Sequence, residues 1–133
     1  MQKTNQIIEK TTFSIEKGHR FFNRSESYYN FLVVQFYISQ EKLHHNAKYH
    51  LRFSKGNNTL FSYDITIDKH KKQVHSKNGL LFVDPLIESD NLYNITFHFP
   101  IEIWEKIKSI SNINVQLLDQ NYNELMGKYI EDL

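Results

Sequence analysis

Four segments of this chain alternate apolar and polar residues, with almost nothing helical between them. That pattern decides what the chain can fold into. Tyr49–Phe53, Phe61–Asp68 and Tyr93–Phe99 alternate cleanly, and Ile113–Leu117 does so more weakly. Successive side chains on a strand point to opposite faces, so each segment reads as a strand with one wet and one dry face. Dry faces have to be buried, and two antiparallel sheets packed dry face to dry face accomplish this. The expected fold is all-β: an antiparallel β-sandwich of about seven or eight strands, immunoglobulin-like or jelly-roll-like in outline, with one short α-helix near residues 100–110.

Residues 1–11 are polar and weakly patterned, a segment expected to fray. Thr12–Glu16 alternates and reads as a first strand stopped by Gly18, and the aperiodic stretch His19–Asn30 reads as a loop. Phe31–Ile38 is the most apolar run, interrupted only by Gln35, and reads as a central strand covered on both faces. Lys55-Gly56-Asn57-Asn58 separates two alternating runs, which is a hairpin signal. Lys69–Asn78 reads as a basic loop, Leu80–Val83 as a short strand broken by Asp84-Pro85, and Glu88–Asn91 as a turn. Pro100 opens the helix candidate, where Ile103, Trp104, Ile107 and Ile110 share one face, and the lone Trp is expected to plug the core. A hairpin closes the chain, with strands Asn112–Leu118 and Glu124–Ile130 about a turn at Asp119–Asn123.

At 133 residues the chain fits one domain, 1–133, and ten Phe and eight Tyr can fill a core. No cysteine is present, which excludes disulfides, thiolate catalysis and Cys-based metal sites. No apolar run is long enough for a signal peptide or a bilayer span. The expected location is cytoplasmic, or in a particle or assembly exported without a cleaved signal, with no membrane contact. Asn, Lys and Ile are used heavily, and Lys outnumbers Arg 13 to 3, a composition that suits a low-GC organism.

Net charge is only +1, but it is unevenly spread. Residues 40–77 carry eight basic and three acidic residues, and residues 78–133 carry three basic and nine acidic. The middle segment also holds five of the seven histidines. Such a split predicts a positive and a negative pole.

Two segments are candidate binding surfaces. The basic loop contributes Lys69, His70, Lys71, Lys72, His75 and Lys77, a set that could hold phosphates, nucleic acid, an acidic glycan or an acidic protein face. It lacks a Gly-rich phosphate cradle and any aromatic residue to stack a base, so a solvated loop is the simpler reading. The second is Arg20, Phe21, Phe22 and Tyr28, residue types that anchor interfaces, weighed against Phe21, Phe22 and Tyr29 tucking under the loop into the core.

His44, His45, His50, His70 and His75 could supply imidazoles to zinc, but no HExxH or helical His spacing accompanies them. His50 and His98 fall on the polar phase of their strands and are expected to be exposed. Asp119-Gln120-Asn121-Tyr122-Asn123 matches the opening of a calcium loop, but Glu124 stands where Gly is needed and Ile130 where a bidentate Glu is needed. An Asn/Asp turn accounts for it without an ion. Sequons at Asn23, Asn57 and Asn94 carry no expectation of glycosylation. No nucleophile elbow or P-loop occurs, and Asp64 and Asp68 stand roughly 13 Å apart on one strand, too far to share a proton.

The chain resembles, in general look and in no particular motif, the small β-sandwich modules of phage particles and bacterial surface or secretion assemblies. These readings together lead to a non-enzymatic protein-binding or structural module acting through charged surface complementarity, with no cofactor, no metal and no catalytic residues. Its partner would be another protein or copies of itself, with Lys69, Lys71 and Lys72 meeting Glu124, Glu131 and Asp132 head to tail. Two alternatives stand beside it. One is a module for an anionic polymer, nucleic acid or acidic glycan, bound through residues 69–77. The other is a His-based metal-dependent hydrolase.

Overall fold

The computed structural model describes residues 9–22, 25–68, 73–74, 80, 82–89 and 91–130. Among them the chain forms β1 (Lys10–Phe22), β2 (Ser25–Ser39), β3 (Lys48–Lys55), β4 (Asn58–Thr66), β5 (Gln73–Val74), β6 (Phe82–Ser89), β7 (Leu92–Pro100), the helix α1 (Ile101–Ile107), β8 (Asn114–Asp119) and β9 (Glu124–Tyr129). The strands make two antiparallel sheets, ordered β1-β2-β7-β6-β5 and β4-β3-β8-β9. The all-β sandwich read from alternation is the fold observed. Among the described residues no helix is long and apolar enough to cross a membrane.

The core lies between the sheets. Leu32, Val34, Phe36 and Ile38 of β2 and Tyr93, Ile95, Phe97 and Phe99 of β7 face Tyr49, Leu51 and Phe53 of β3, Tyr63 and Ile65 of β4, and Val115 and Leu117 of β8. Aromatic rings join the two layers: Phe53 meets Phe99 edge-on at 5.4 Å, and Tyr63 tilts against Phe99 at 5.4 Å. Burial pushes the Tyr63 hydroxyl up to about 12, since its charged form has little water to solvate it. Tyr49 is also buried, and its hydroxyl accepts from the His44 N–H at 2.7 Å, which ties the β2–β3 connection to the core.

The helix crosses from β7 to β8 and closes one end of the sandwich with Ile103 and Ile107. It is shorter than the expected 100–110, because Pro100 stands outside it as the extended N-cap and Lys108 ends it. Trp104 is only partly buried against the core, so the isoleucines rather than the tryptophan plug that end.

Three local expectations are corrected. Gly18 does not stop β1, and His19–Asn30 is not a loop: β1 and β2 pair without a break from Lys10↔Tyr37 to Phe22↔Ser25, with Gly18 opposite Tyr29. A ladder needs only N–H and C=O groups, which glycine and the aperiodic residues supply as well as any. Second, Pro85 does not break its strand; it sits in β6 opposite Ile95. Proline lacks only the N–H, so it can hold extended backbone at a strand position where no bond from that nitrogen is needed.

Third, β7 has no wet face. Asn94 and Thr96, on its polar phase, are 4% and 6% exposed. They are satisfied sideways: Thr12 Oγ1 donates to Gln35 Oε1 at 3.1 Å, Gln35 Nε2 to Thr96 Oγ1 at 3.4 Å, and Thr96 Oγ1 to Asn94 Oδ1 at 3.1 Å. This chain across β1, β2 and β7 lets Gln35 occupy the most apolar run without an unpaired amide. It also places the Asn94 sequon inside the sheet. On the same strand phase of β2, Val33 is fully buried, so that strand is covered on both faces, as its composition predicts.

Candidate binding surface

The outer face of the four-stranded sheet carries the best-defined polar arrangement. Its residues are the off-phase positions of β3, β4 and β8, where the inward set Tyr49, Leu51 and Phe53 leaves Lys48, His50 and Arg52 pointing out.

His50 stands opposite Asp64 in the β3–β4 ladder, and its Nδ1 lies 2.6 Å from Asp64 Oδ1. The Tyr122 ring lies flat on the imidazole, 4.1 Å between centroids and 6° between planes. Only 12% of the His50 side chain is exposed, against 83% of Asp64. The expectation of an exposed His50 is therefore corrected. Strand phase placed it outward correctly, but Asp119 pairs with Tyr49, and this brings the β8–β9 turn alongside β3.

That turn is built by one carboxylate. Asp119 accepts from the Asn121 N–H at 2.8 Å, the Asn123 N–H at 2.9 Å and Asn123 Nδ2 at 3.1 Å. Tyr122 completes the turn in the left-handed region, at φ 63°. The Asn123 N–H is the main influence holding the Asp119 carboxyl below its usual range. Desolvation opposes it, and the Asn123 amide, the Asn121 N–H and His50 reinforce it. The calcium-like spacing is thus accounted for by donors within the turn.

A second line crosses three strands. Arg52 donates from Nε and Nη2 to Gln116 Oε1 at 3.1 and 3.0 Å, and Gln116 Nε2 donates to Glu124 Oε1 at 2.8 Å. Gly127 stands beside Gln116 in the ladder, and a Cβ there would strike the Glu124 carboxylate. The absence of a side chain at 127 is what lets Glu124 lie back across the sheet. β3 carries Lys48, Arg52 and Lys55, and the β8–β9 hairpin carries Asp119 and Glu124, so basic and acidic side chains sit on neighbouring strands of one sheet.

Of the residues singled out in the sequence, Lys69, His70, Lys71, Lys72, His75 and Lys77 lie outside the described residues, as do Glu131 and Asp132. Arg20, Phe21, Phe22 and Tyr28 belong to the long β1–β2 hairpin, opposite Ser27, Glu26, Ser25 and His19. Glu124 is exposed and in the Arg52–Gln116 line. His44 and His45 are exposed in the β2–β3 connection, with His45 Nδ1 3.8 Å from Asp68 Oδ1. Among the described residues no three His, Asp or Glu side chains converge as a metal site would require. Sequence reasoning missed Gln116 and Tyr122. Alternation in β8 already placed Gln116 outward, whereas nothing local to Tyr122 signals a partner 72 positions earlier. Comparison with protein-family models, curated proteins and solved structures found no significant match.

Proposed function

We propose that the chain is a non-enzymatic protein-binding module that docks its partner, another protein or a second copy, on the outer face of the four-stranded sheet. One observation supports this above others: the side chains of that face are held by their neighbours before any partner arrives. Arg52 is forked onto Gln116, and His50 is clamped between Asp64 and Tyr122. Ordering a long side chain on binding costs about 0.5–1.5 kcal/mol, and a side chain already ordered avoids much of that cost. Arg and Tyr are also the residue types that anchor interfaces.

The face offers both signs of charge side by side. A second copy related by a two-fold axis could lay its β8–β9 half over the β3–β4 half of the first, and the reverse. Electrostatic docking of this kind weakens as salt rises. The native mass of the wild type and of Arg52→Glu, measured by light scattering after gel filtration across a salt series, tests the self-docking form. The expected outcome is a salt-sensitive larger species absent from Arg52→Glu. The same mass distribution for both proteins at every salt concentration would rule that form out.

A further inference from the structure

The α1 end of the sandwich holds a second surface, remote from the turn that carries Tyr122. Lys55 ends β3 opposite Asn58, Ser54 pairs with Asn114, and Asn114 pairs with Tyr129, so the register gathers these residues at one end of the sheet. Two hollows meet there at Asn112. One, of about 740 Å³, is lined by Lys55, Gly56, Asn57, Asn58, Asn112 and Tyr129. The other, of about 370 Å³, shares Asn112 and is lined also by Trp104, Ser109, Ser111 and Ile130.

We infer that this paired hollow binds an oligosaccharide, with one sugar ring on Tyr129 and the chain running past Asn112 toward Trp104. A sugar presents a patch of C–H bonds on its ring face and hydroxyls around its rim. The first calls for a flat aromatic surface, and the second for groups that donate and accept at adjacent atoms. An Asn amide does both, with two N–H donors beside one carbonyl acceptor. Three Asn side chains line the larger hollow, and Tyr129 is 58% exposed. The smaller hollow adds two serine hydroxyls and the only tryptophan in the chain. No carboxylate lines either hollow.

Turn chemistry accounts for part of this set. Gly56 and Asn112 hold left-handed backbone, at φ 58° and 60°, where Gly and Asn are favoured. Asn58 closes the Gly56-Asn57 turn opposite Lys55, so turn chemistry covers it too. It does not account for Tyr129, the last residue of β9, which is outside any turn and exposed.

The test is a titration of the ¹⁵N-labelled protein with maltose, cellobiose, N,N′-diacetylchitobiose and digalacturonate at tens of millimolar, read at the side-chain amides of Asn57, Asn58 and Asn112 and the Trp104 indole. At least one disaccharide is expected to shift these resonances saturably. Tyr129→Ala, at an exposed site, should weaken that binding about tenfold, and Tyr129→Phe should retain it, because the ring and not the hydroxyl is the platform. No shift with any of the four sugars would overturn the proposal, as would equal binding by Tyr129→Ala. Binding of digalacturonate alone, abolished by salt, would also overturn it, since it would reduce the site to ion contacts with Lys55 and with Lys108, which lines the smaller hollow.

Discussion

Gly127 shows how a single missing side chain shapes the outer face. It is exposed and needs no unusual φ, so neither packing nor backbone strain explains a glycine in mid-strand. The Glu124 carboxylate occupies the space a Cβ would take, and from there it accepts from Gln116, which in turn holds Arg52. Gly127→Ala restricts the unfolded chain, worth roughly 0.5–1 kcal/mol in its favour, and loses an exposed hydrogen bond of similar size. Net stability should therefore move by less than about 0.5 kcal/mol. The Gln116 side-chain amide resonances should shift as Glu124 swings away. Unmoved Gln116 resonances in Gly127→Ala would show that the line does not depend on that space.

At the scale of elements, two carboxylates fasten chain segments and make them acid-sensitive. Asp119 builds the β8–β9 turn. Glu9 joins the start of β1 to the end of β2, accepting from the Ser39 N–H at 2.9 Å and from Lys42 Nζ at 2.6 Å. Partial burial of Glu9 favours its neutral form, but the Lys42 and Ser39 hydrogen bonds and the Lys42 charge outweigh this and hold its carboxyl below the usual range. Both folded-state pKa values are depressed, so the stability they add is present above the ordinary carboxylate range and is lost as pH falls through the folded values. Hydrogen exchange at the Asn121 and Asn123 amides should speed up several-fold in Asp119→Ala, while β2 and β7 stay protected. An unchanged exchange rate at both amides would mean the carboxylate does not hold the turn. The hairpins on either side of this turn and of Gly56-Asn57 were legible in the sequence, since their turn residues and alternating flanks lie within a few positions of each other. The β1–β2 hairpin was only half legible, because its outer part forms a backbone ladder with no alternation to announce it.

For the whole molecule, the contact between sheets rests on large aromatic side chains. Phe53, Phe97 and Phe99 are fully buried, and Phe53 and Phe99 meet across the layers. Phe99→Ala should cost about 3–5 kcal/mol through lost burial and the cavity left behind. That is a large fraction of the roughly 5–15 kcal/mol a domain has in total. Phe99→Leu should cost less, because most of the volume remains. Urea midpoints measure both, with an unchanged slope if the native and unfolded states keep their exposed areas. A Phe99→Ala midpoint equal to wild type would mean the sheets are not held at this point.

Period-two alternation by itself pointed to antiparallel sheets around an aromatic core, because a strand with one apolar face has to bury that face against another layer. It also determined which residues of β3, β4 and β8 point outward, because phase is counted locally. Only the tertiary structure decided strand order, the burial of both faces of β7, and the composition of the outer surface. Arg52 and Gln116 are 64 positions apart, and Gln35 and Thr96 are 61 apart. Arg52, Gln116 and Thr96 each read alone as an ordinary polar residue on a wet phase, and Gln35 as the one interruption of an apolar run. Their pairing depends on which strands become neighbours, and that is settled by the fit of whole sheets rather than by any local run of residues.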